Sequence, residues 1–504
     1  MSLLGIDVGT TGCKAASYSL EGRLLADAYE EYDVRRAQPG WAELDTTQVW
    51  EKIQRTIRKV ATETGEPITA LAVSSLGEAV TPVDGERRIL GPSILNFDGR
   101  GGEYLGALAG GVQAEDLYQI NGNTPGNHYT LTKLMWLQRN QPELYRRAAC
   151  FLHWSGLVSY LLGAGPRVDY SLANRTLLFD LDAGGWSPRL LDWAGLDGDK
   201  LPPCVPSGQV IGRVSPQAAA GLGLAAGTLI VSGAHDQCAN ALGCGVIAAG
   251  QAVYGMGTYN CIAPVFDRRR PTAVMMAHGL NTEHHAVPGN FVSFIYSMGG
   301  AIVKWYRDTF AAFEHRQAQQ AGEDVYTALF AEIDPAAPSP VLVLPHWSPD
   351  TSPYVRPGAS GVVVGLTLET RRADVLKAIL EANVFLLKDV VDGLPETGIV
   401  IDEFRIGGGG SKSDVGVQLC ADILGRPFAR PRYREAGTLG AAMLAGIGSG
   451  VFSSFEEAVA GMVRLERTFE PDARQHIRYQ ERHAQYRQLW PLLGDFVQGL
   501  AGKA

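Results

Sequence analysis

Apolar and polar positions along the first eighty residues change period twice. Residues 3–8, 13–20 and 23–32 are β-rich runs, parted by the turn Gly9-Thr10-Thr11-Gly12 and by Glu21-Gly22. From residue 46 the period lengthens. Val49, Trp50, Ile53, Ile57 and Val60 fall on one helical face, with Asp45 or Thr46 positioned to cap it. Residues 70–74 return to a strand. This β-β-β-α-β order predicts an α/β fold with a mixed sheet carrying helices, rather than a simple doubly wound sheet.

A similar transition recurs downstream. Residues 251–255 enter Gly255-Met256-Gly257-Thr258 as a strand, and residues 261–266 leave it as another. The parallel predicts two domains of common plan, residues 1–248 and 249–504, each offering a glycine-and-hydroxyl hairpin to a cleft. With 504 residues, the chain exceeds what one hydrophobic core usually supports. Residues 454–498 read as helices with many surface charges.

Composition excludes several classes. A chain 46 % apolar and 19 % charged is an ordinary globular protein. Its net charge of −9 argues against nucleic-acid or anionic-membrane partners, and Arg268-Arg269-Arg270 reads as a solvated loop. Residues 237–266 carry no charge, yet glycines with Asn240, Gln251, Thr258 and Asn260 interrupt them, which suits a packed crossing between domains better than a membrane helix. The chain enters its first strand without a basic-then-apolar leader. Its seven cysteines (Cys13, Cys150, Cys204, Cys238, Cys244, Cys261 and Cys420) form no C-x-x-C pair and lack zinc-ligand spacing, which predicts reduced thiols in a cytoplasmic protein.

The chemistry concentrates at two strand ends. Gly5-Ile6-Asp7-Val8-Gly9-Thr10-Thr11-Gly12 follows the first strand, and Ser232-Gly233-Ala234-His235-Asp236-Gln237 closes another at 229–232. Two carboxylates, one beside a phosphate-sized loop, suit metal-assisted phosphoryl transfer: one holds Mg²⁺ and the other takes the proton from an alcohol. A capping aspartate at a strand-to-helix turn is the plainer reading of Asp236. In the first turn, backbone N–H groups around Gly9 and the hydroxyls of Thr10 and Thr11 can face phosphate oxygens, with Lys14 adding charge; a hairpin that merely requires glycine, beside an exposed lysine, reads the same way. Gly407-Gly408-Gly409-Gly410-Ser411-Lys412-Ser413 follows strand-like residues 403–406 and precedes a helix bearing Val417, Leu419, Cys420, Ile423 and Leu424. Such a turn admits a nucleotide close to the backbone at a helix start, or is a loop with no ligand. It is not a Walker A loop, because Ser411 stands where that motif needs glycine before lysine.

Taken together, these segments resemble the FGGY carbohydrate kinases, in particular their xylulose kinase-like members, on the actin/Hsp70/hexokinase fold. The resemblance rests on Gly5-Ile6-Asp7-Val8-Gly9-Thr10-Thr11, Pro39-Gly40-Trp41-Ala42-Glu43 and Lys133-Leu134-Met135-Trp136-Leu137. It continues from Gly361 through Gly365-Leu366 and Asp374-Val375 to Ala378-Ile379-Leu380-Glu381, then Gly407 to Ser413 and Glu435-Ala436-Gly437-Thr438-Leu439-Gly440-Ala441-Ala442. It implies two ribonuclease H-like (actin/hexokinase-type) domains with mixed sheets flanking a central cleft. The activity implied is transfer of the ATP γ-phosphate to a sugar or polyol hydroxyl, with ATP and Mg²⁺ as cofactors. Asp236 matches the general base and Asp7 the Mg²⁺-linked carboxylate, with Asp236 beside it at the metal. Thr10, Thr11, Gly257 and Thr258 match phosphate contacts, which Gly9 and Lys14 extend. Gly300, in Met298-Gly299-Gly300-Ala301, matches the nucleoside side with Gly408, Gly409 and Ser411. A homodimer is compatible with the resemblance, though no feature of the sequence shows one.

Substrate signals diverge from the family pattern. Xylulose-type members carry Met-His in the loop where Ser74-Ser75-Leu76-Gly77-Glu78-Ala79 stands here, so Glu78 takes the histidine's position. Glycerol-type members carry Arg-Glu there; Glu78 resembles their hydroxyl-binding glutamate, but Gly77 lacks the arginine. Gln237 is also glycerol-like, where xylulose-type members show Asn. Ile94-Leu95-Asn96-Phe97-Asp98-Gly99-Arg100 resembles the family's W-x-D-x-R segment with Asn96 replacing tryptophan, which suits a longer, more hydroxylated substrate. The expected substrate contacts are Glu78, Asn96, Asp98, Asp236 and Gln237. The structural alternative pairs Glu78 with Arg100 and makes Asp98 and Arg100 framework. His153 and Trp154 read as core packing, and His235 either orients Asp236 or lines the sugar pocket. The favoured substrate is a pentulose such as xylulose. A polyol kinase of glycerol or erythritol type is the alternative, and intact Asp7 and Asp236 argue against a non-catalytic sugar- or nucleotide-responsive protein.

Overall fold

A computed structural model describes residues 1–106, 110–347, 356, 358–433 and 435–501. It contains two large mixed sheets. The first is built from β1 (Ser2–Val8), β2 (Gly12–Tyr18), β3 (Leu24–Glu31), β4 (Ile68–Ser75), β5 (Val210–Arg213) and β6 (Leu229–His235). Their spatial order is β5-β6-β4-β1-β2-β3, with β4 parallel to both β1 and β6. The second sheet has eight strands. Its centre repeats the plan: β7 (Gly250–Met256) forms a hairpin with β8 (Tyr259–Phe266) and runs parallel to β9 (Ile401–Gly407). The predicted β-β-β-α-β order and the mixed two-domain fold are therefore present.

Strand β1 is buried on both faces. Leu4, Ile6 and Val8 pack with Val49, Ile53 and Ile57 of helix α1 (Thr46–Glu63), whose first turn Asp45 caps by accepting from the Gln48 N–H at 3.1 Å. On the opposite face Leu3 packs with Leu439, Ala442 and Met443. Those residues belong to a helix from the far end of the chain, α4 (Ala436–Gly448), which also crosses α2 (Asp236–Gly243). Glycines set the spacing. A Cβ at Gly5 would stand 1.8 Å from the Thr438 carbonyl oxygen, and one at Gly440 1.9 Å from that of Ala239. Backbone therefore lies directly on backbone where the two halves meet, and no side chain larger than hydrogen fits.

One reading of the sequence needs correction and another holds. Within 454–498, residues Leu465–Phe469 form a strand antiparallel to Phe428–Pro431, flanked by helices Phe455–Met462 and Ala473–Ala501. Only Phe469 of that strand is buried. An edge strand exposed over most of its length has the polar composition of a surface helix, and this concealed it. His153 closes strand Cys150–His153 and Trp154 begins helix Trp154–Leu162, where Trp154 is fully buried, as core packing predicted. Among the described residues no helix is long and apolar enough to cross a membrane, and all seven cysteines are free thiols.

Candidate active site

Register brings the two carboxylates together. Across the parallel strands, Asp7 pairs with Ser74 and Ser74 with Ala234, while Val8 pairs with Ser75 and Ser75 with His235. Asp7 and Asp236 thus emerge at the same sheet edge, beyond the carboxyl ends of parallel strands where α/β sheets bind ligands. Asp7 accepts from the Ser74 hydroxyl at 2.6 Å and lies over Gly437, in the first turn of α4. Burial raises its pKa. Asp236 is the first residue of α2, and 31 % of its side chain remains open to the cleft. Desolvation, with the charges of Asp7 and Glu78 close by, pushes its carboxyl up to about 7. His235 Nε2 lies 3.2 Å from Asp236 Oδ1, and burial keeps that imidazole neutral. The neutral ring thus lies against the carboxylate, and His235 borders the same pocket as Asp236.

The two hairpins face this edge. In the first, the Gly9 N–H donates to the Gly12 carbonyl at 2.9 Å, and the Tyr32 hydroxyl donates to the carbonyls of Gly9 at 2.6 Å and Gly12 at 2.9 Å. Thr10 is half-buried and Thr11 exposed. Lys14 behaves differently from the phosphate contact expected of it: its ammonium is held by Glu435 at 2.8 Å, with Asp27 at 3.7 Å. In the second hairpin, the Gly300 N–H donates to the Gly257 carbonyl at 2.9 Å, and the Ala301 N–H to that of Thr258 at 3.1 Å. This ties the turn to the start of helix α3 (Gly300–Phe310).

Beside the second hairpin opens a cavity of about 660 Å³, the size class of nucleotide and cofactor sites. Gly257, Thr258, Gly300 and Gly409 form its polar side, and Tyr326, Phe330, Leu380 and Val384 supply an apolar wall. Sequence reasoning missed that wall, because apolar residues at helical spacing look identical whether they face a core or a ligand. Two expected members stand elsewhere. Ser411 is buried and donates its hydroxyl to the Gly408 carbonyl at 2.7 Å, so it braces the loop from behind. Gly408 supplies the turn itself: its φ is +86°, and a Cβ there would come 2.5 Å from the Met256 carbonyl oxygen. At Gly409 a Cβ meets nothing within 4 Å. Gly408→Ala should therefore destabilise by at least about 1–2 kcal/mol from the left-handed backbone alone. Gly409→Ala should keep the wild-type Tm and raise KM for ATP, which thermal melts and initial rates would separate.

On the sugar side the structure redraws one pairing. Glu78 is buried, but its partner is Arg175 and not Arg100. Arg175 Nε donates to Glu78 Oε1 at 2.8 Å, Nη2 donates to the same oxygen, and Nη1 donates to Glu283 Oε1 at 2.6 Å. Arg100 belongs to a separate knot. It pairs with Asp98 at 2.6 Å and Glu43 at 3.0 Å, and lies on the Trp41 ring at 3.9 Å and the Trp136 ring at 5.1 Å. Buried Lys133 closes that knot by donating to the carbonyls of Asp98 at 2.7 Å and Arg100 at 2.8 Å. Three motifs of the sequence thus converge on one packing unit. Asp98, 1 % exposed and also accepting from the Ala42 N–H, is framework here and not a cleft residue. Asn96 and Gln237 are half-buried.

Two mixed-sheet domains each present a glycine hairpin, the first with the carboxylates Asp7 and Asp236 and the second with a nucleotide-sized cavity, and the class they define is a phosphotransferase with an alcohol acceptor on the actin/hexokinase-like fold. The chain belongs to the FGGY family of carbohydrate kinases: the model of the family's N-terminal domain matches residues 2–243, and that of its C-terminal domain residues 252–449. It is 30 % identical to the autoinducer-2 kinase of Escherichia coli K12, over 95 % of this chain and 92 % of the relative. To the xylulose kinase of the same organism it is 28 % identical, over 97 % and 99 %. The crystal structure of xylulose kinase from Rhodospirillum rubrum superposes with a TM-score of 0.86 at 27 % identity, covering 99 % of this chain and 100 % of that one.

Proposed function

We propose that this chain transfers the γ-phosphoryl group of MgATP to the terminal primary hydroxyl of a small ketose, with a pentulose such as xylulose the first candidate. The observation that carries the reading is Asp236, an ionisable carboxyl open to the cleft beside the neutral ring of His235, with a buried acceptor–donor pair, Glu78 and Arg175, nearby. An alcohol is a weak nucleophile at neutral pH, and Asp236 accepts its proton as the new P–O bond forms. Backbone N–H groups of Thr10, Thr11 and Thr258 hold the phosphate chain, the Gly9 and Gly257 N–H groups being spent within their own hairpins, while Gly300 and Gly409 border the nucleoside. The residues present fit Mg²⁺. Asp7 keeps Oδ2 without a hydrogen bond among the described residues, Asp236 faces the same cleft, and this ion ordinarily takes one or two carboxylates alongside substrate phosphates and water. When bound there, the ion supplies neutralisation of phosphate charge.

The test is a coupled ADP-release assay with ketopentoses, ketohexoses, tetruloses, autoinducer-2 and linear polyols, using Asp236→Asn as the blank. Turnover on a ketopentose is expected. Turnover confined to glycerol or erythritol would overturn the ketose reading in favour of a polyol kinase, and silence on every acceptor would overturn both. The same assay gives a pH signature. The base acts only when ionised, so kcat/KM in the free enzyme should fall as pH drops through about 7. The profile is taken again at saturating MgATP as a second condition. A flat profile from pH 6 to 8 in both conditions would separate Asp236 from the proton transfer.

A further inference from the structure

Arg175 stands at a meeting point that no linear motif marks. A Cβ built on Gly77 would lie 3.4 Å from Arg175 Nε and 3.2 Å from His235 Nε2. Gly77 is thus the floor on which the guanidinium and the imidazole come together, and His235 in turn touches Asp236. A guanidinium carries five N–H donors. Three are taken by Glu78 and Glu283, which leaves two without a partner among the described residues. Both N–H bonds to Glu78 fall on Oε1, so its Oε2 accepts nothing among the described residues. The second oxygen of Glu283 is buried and likewise without a partner. The result is two spare donors on Arg175 and a spare acceptor on the Glu78 carboxylate that it holds.

The element that carries Arg175 is fixed to the catalytic edge. Helix Tyr170–Asn174 is capped by Asp169, which accepts from the Leu172 N–H at 3.1 Å. Ser171 Oγ accepts the His235 N–H at 2.9 Å, and Asn174 Oδ1 accepts the His284 N–H at 3.1 Å, next to Glu283. The Tyr129 ring lies 5.1 Å from the Arg175 guanidinium. Arg175 therefore keeps one position relative to Asp236, the condition for a group that measures a substrate rather than one that merely attracts it.

We propose that Arg175 is the residue that selects the acceptor, reading an α-hydroxyketone. Its two spare N–H groups donate to the carbonyl oxygen, and Glu78 Oε2 accepts from the adjacent hydroxyl while Asp236 addresses the hydroxyl at the other end. This rests on the ketose reading above and sharpens it. A polyol lacks the carbonyl and meets a guanidinium whose donors stay poorly matched, and sites built around buried polar groups discriminate strongly against such analogues.

The experiment compares a ketopentose with the pentitol made by reducing its carbonyl, in the wild type, in Arg175→Lys and in the double variant Glu78→Gln/Arg175→Gln. The double variant keeps a hydrogen-bonding pair and leaves no lone charge opposite residue 78; melting curves and ADP binding report its integrity. For the wild type a clear preference for the ketose is expected. In the double variant, ketose kcat/KM should fall roughly 10–100-fold, the size of a lost charge-assisted hydrogen bond, and pentitol kcat/KM should fall less, so that the ketose-to-pentitol ratio drops. The loss should appear chiefly in KM. Arg175→Lys, a point donor without the fork, should fall between the two. If the ketose-to-pentitol ratio stays at its wild-type value in a folded variant, Arg175 is a structural counter-ion and the inference fails while the ketose reading stands. If the wild type itself prefers the pentitol, both fail together. Should the double variant not fold, the ratio in Arg175→Lys decides the matter alone.

Discussion

Asp236→Asn is expected to lower kcat by about 10³-fold, within the range that a positioned general base contributes. The substitution removes the proton acceptor and little else. An asparagine keeps the carboxylate's shape beside His235, it holds the same place at the start of α2, and it relieves the charge crowding with Asp7 and Glu78 that, together with burial, pushes the native carboxyl up to about 7. Sugar affinity by calorimetry should accordingly stay within a few-fold, and Tm should hold or rise. A variant with near-wild-type turnover would remove Asp236 from the chemistry and leave it as an acidic residue in the first turn of α2.

Gly5→Ala should have the largest effect on stability. Its methyl would need the space of the Thr438 carbonyl, 1.8 Å away, with the Ala442 nitrogen at 3.0 Å. Both are backbone atoms of a packed helix, so no rotamer change relieves the clash. Either α4 lifts off the sheet, opening the core around Leu3, Leu439 and Met443, or β1 buckles. A loss above about 4 kcal/mol is expected, the range reserved for such named defects. Soluble yield and Tm would check this against Gly85→Ala, where a Cβ meets nothing within 4 Å and no change is expected. A Gly5→Ala protein with wild-type melting would mean that the helix sits farther from the strand than described here.

The two carboxylates show what a sequence discloses. Asp7 and Asp236 were legible because each ends an apolar strand at a glycine-rich or helix-opening turn, and strand ends are where parallel sheets gather their chemistry. The hairpins at Gly9–Gly12 and Gly257–Thr258 were legible because glycine is demanded locally. Arg175 was not. It follows a five-residue helix, carries no glycine beside it, and meets its partners 97 and 108 positions away. The direction of a side chain is equally silent: Ser411 among glycines looks like a ligand contact, and only the fold shows its hydroxyl turned back onto Gly408. Glu78 and Arg100 are complementary charges at close range in sequence, yet each found a different partner, because Trp41, Glu43 and Lys133 had already enclosed Arg100.

The crossing of α4 over the first sheet also orders events during synthesis. The Tyr18 hydroxyl bonds to Thr438 across 420 positions, and Leu3 packs with Leu439, Ala442 and Met443 of that same late helix. At about 5–20 residues per second, the opening strand spends roughly 20–90 s outside the ribosome before the segment that seals it is made. Throughout that interval one face of the first sheet is an unclosed apolar surface. The nascent chain is therefore a natural client for chaperones that shield such surfaces, and a truncated product ending ahead of residue 436 would carry the same exposed face permanently.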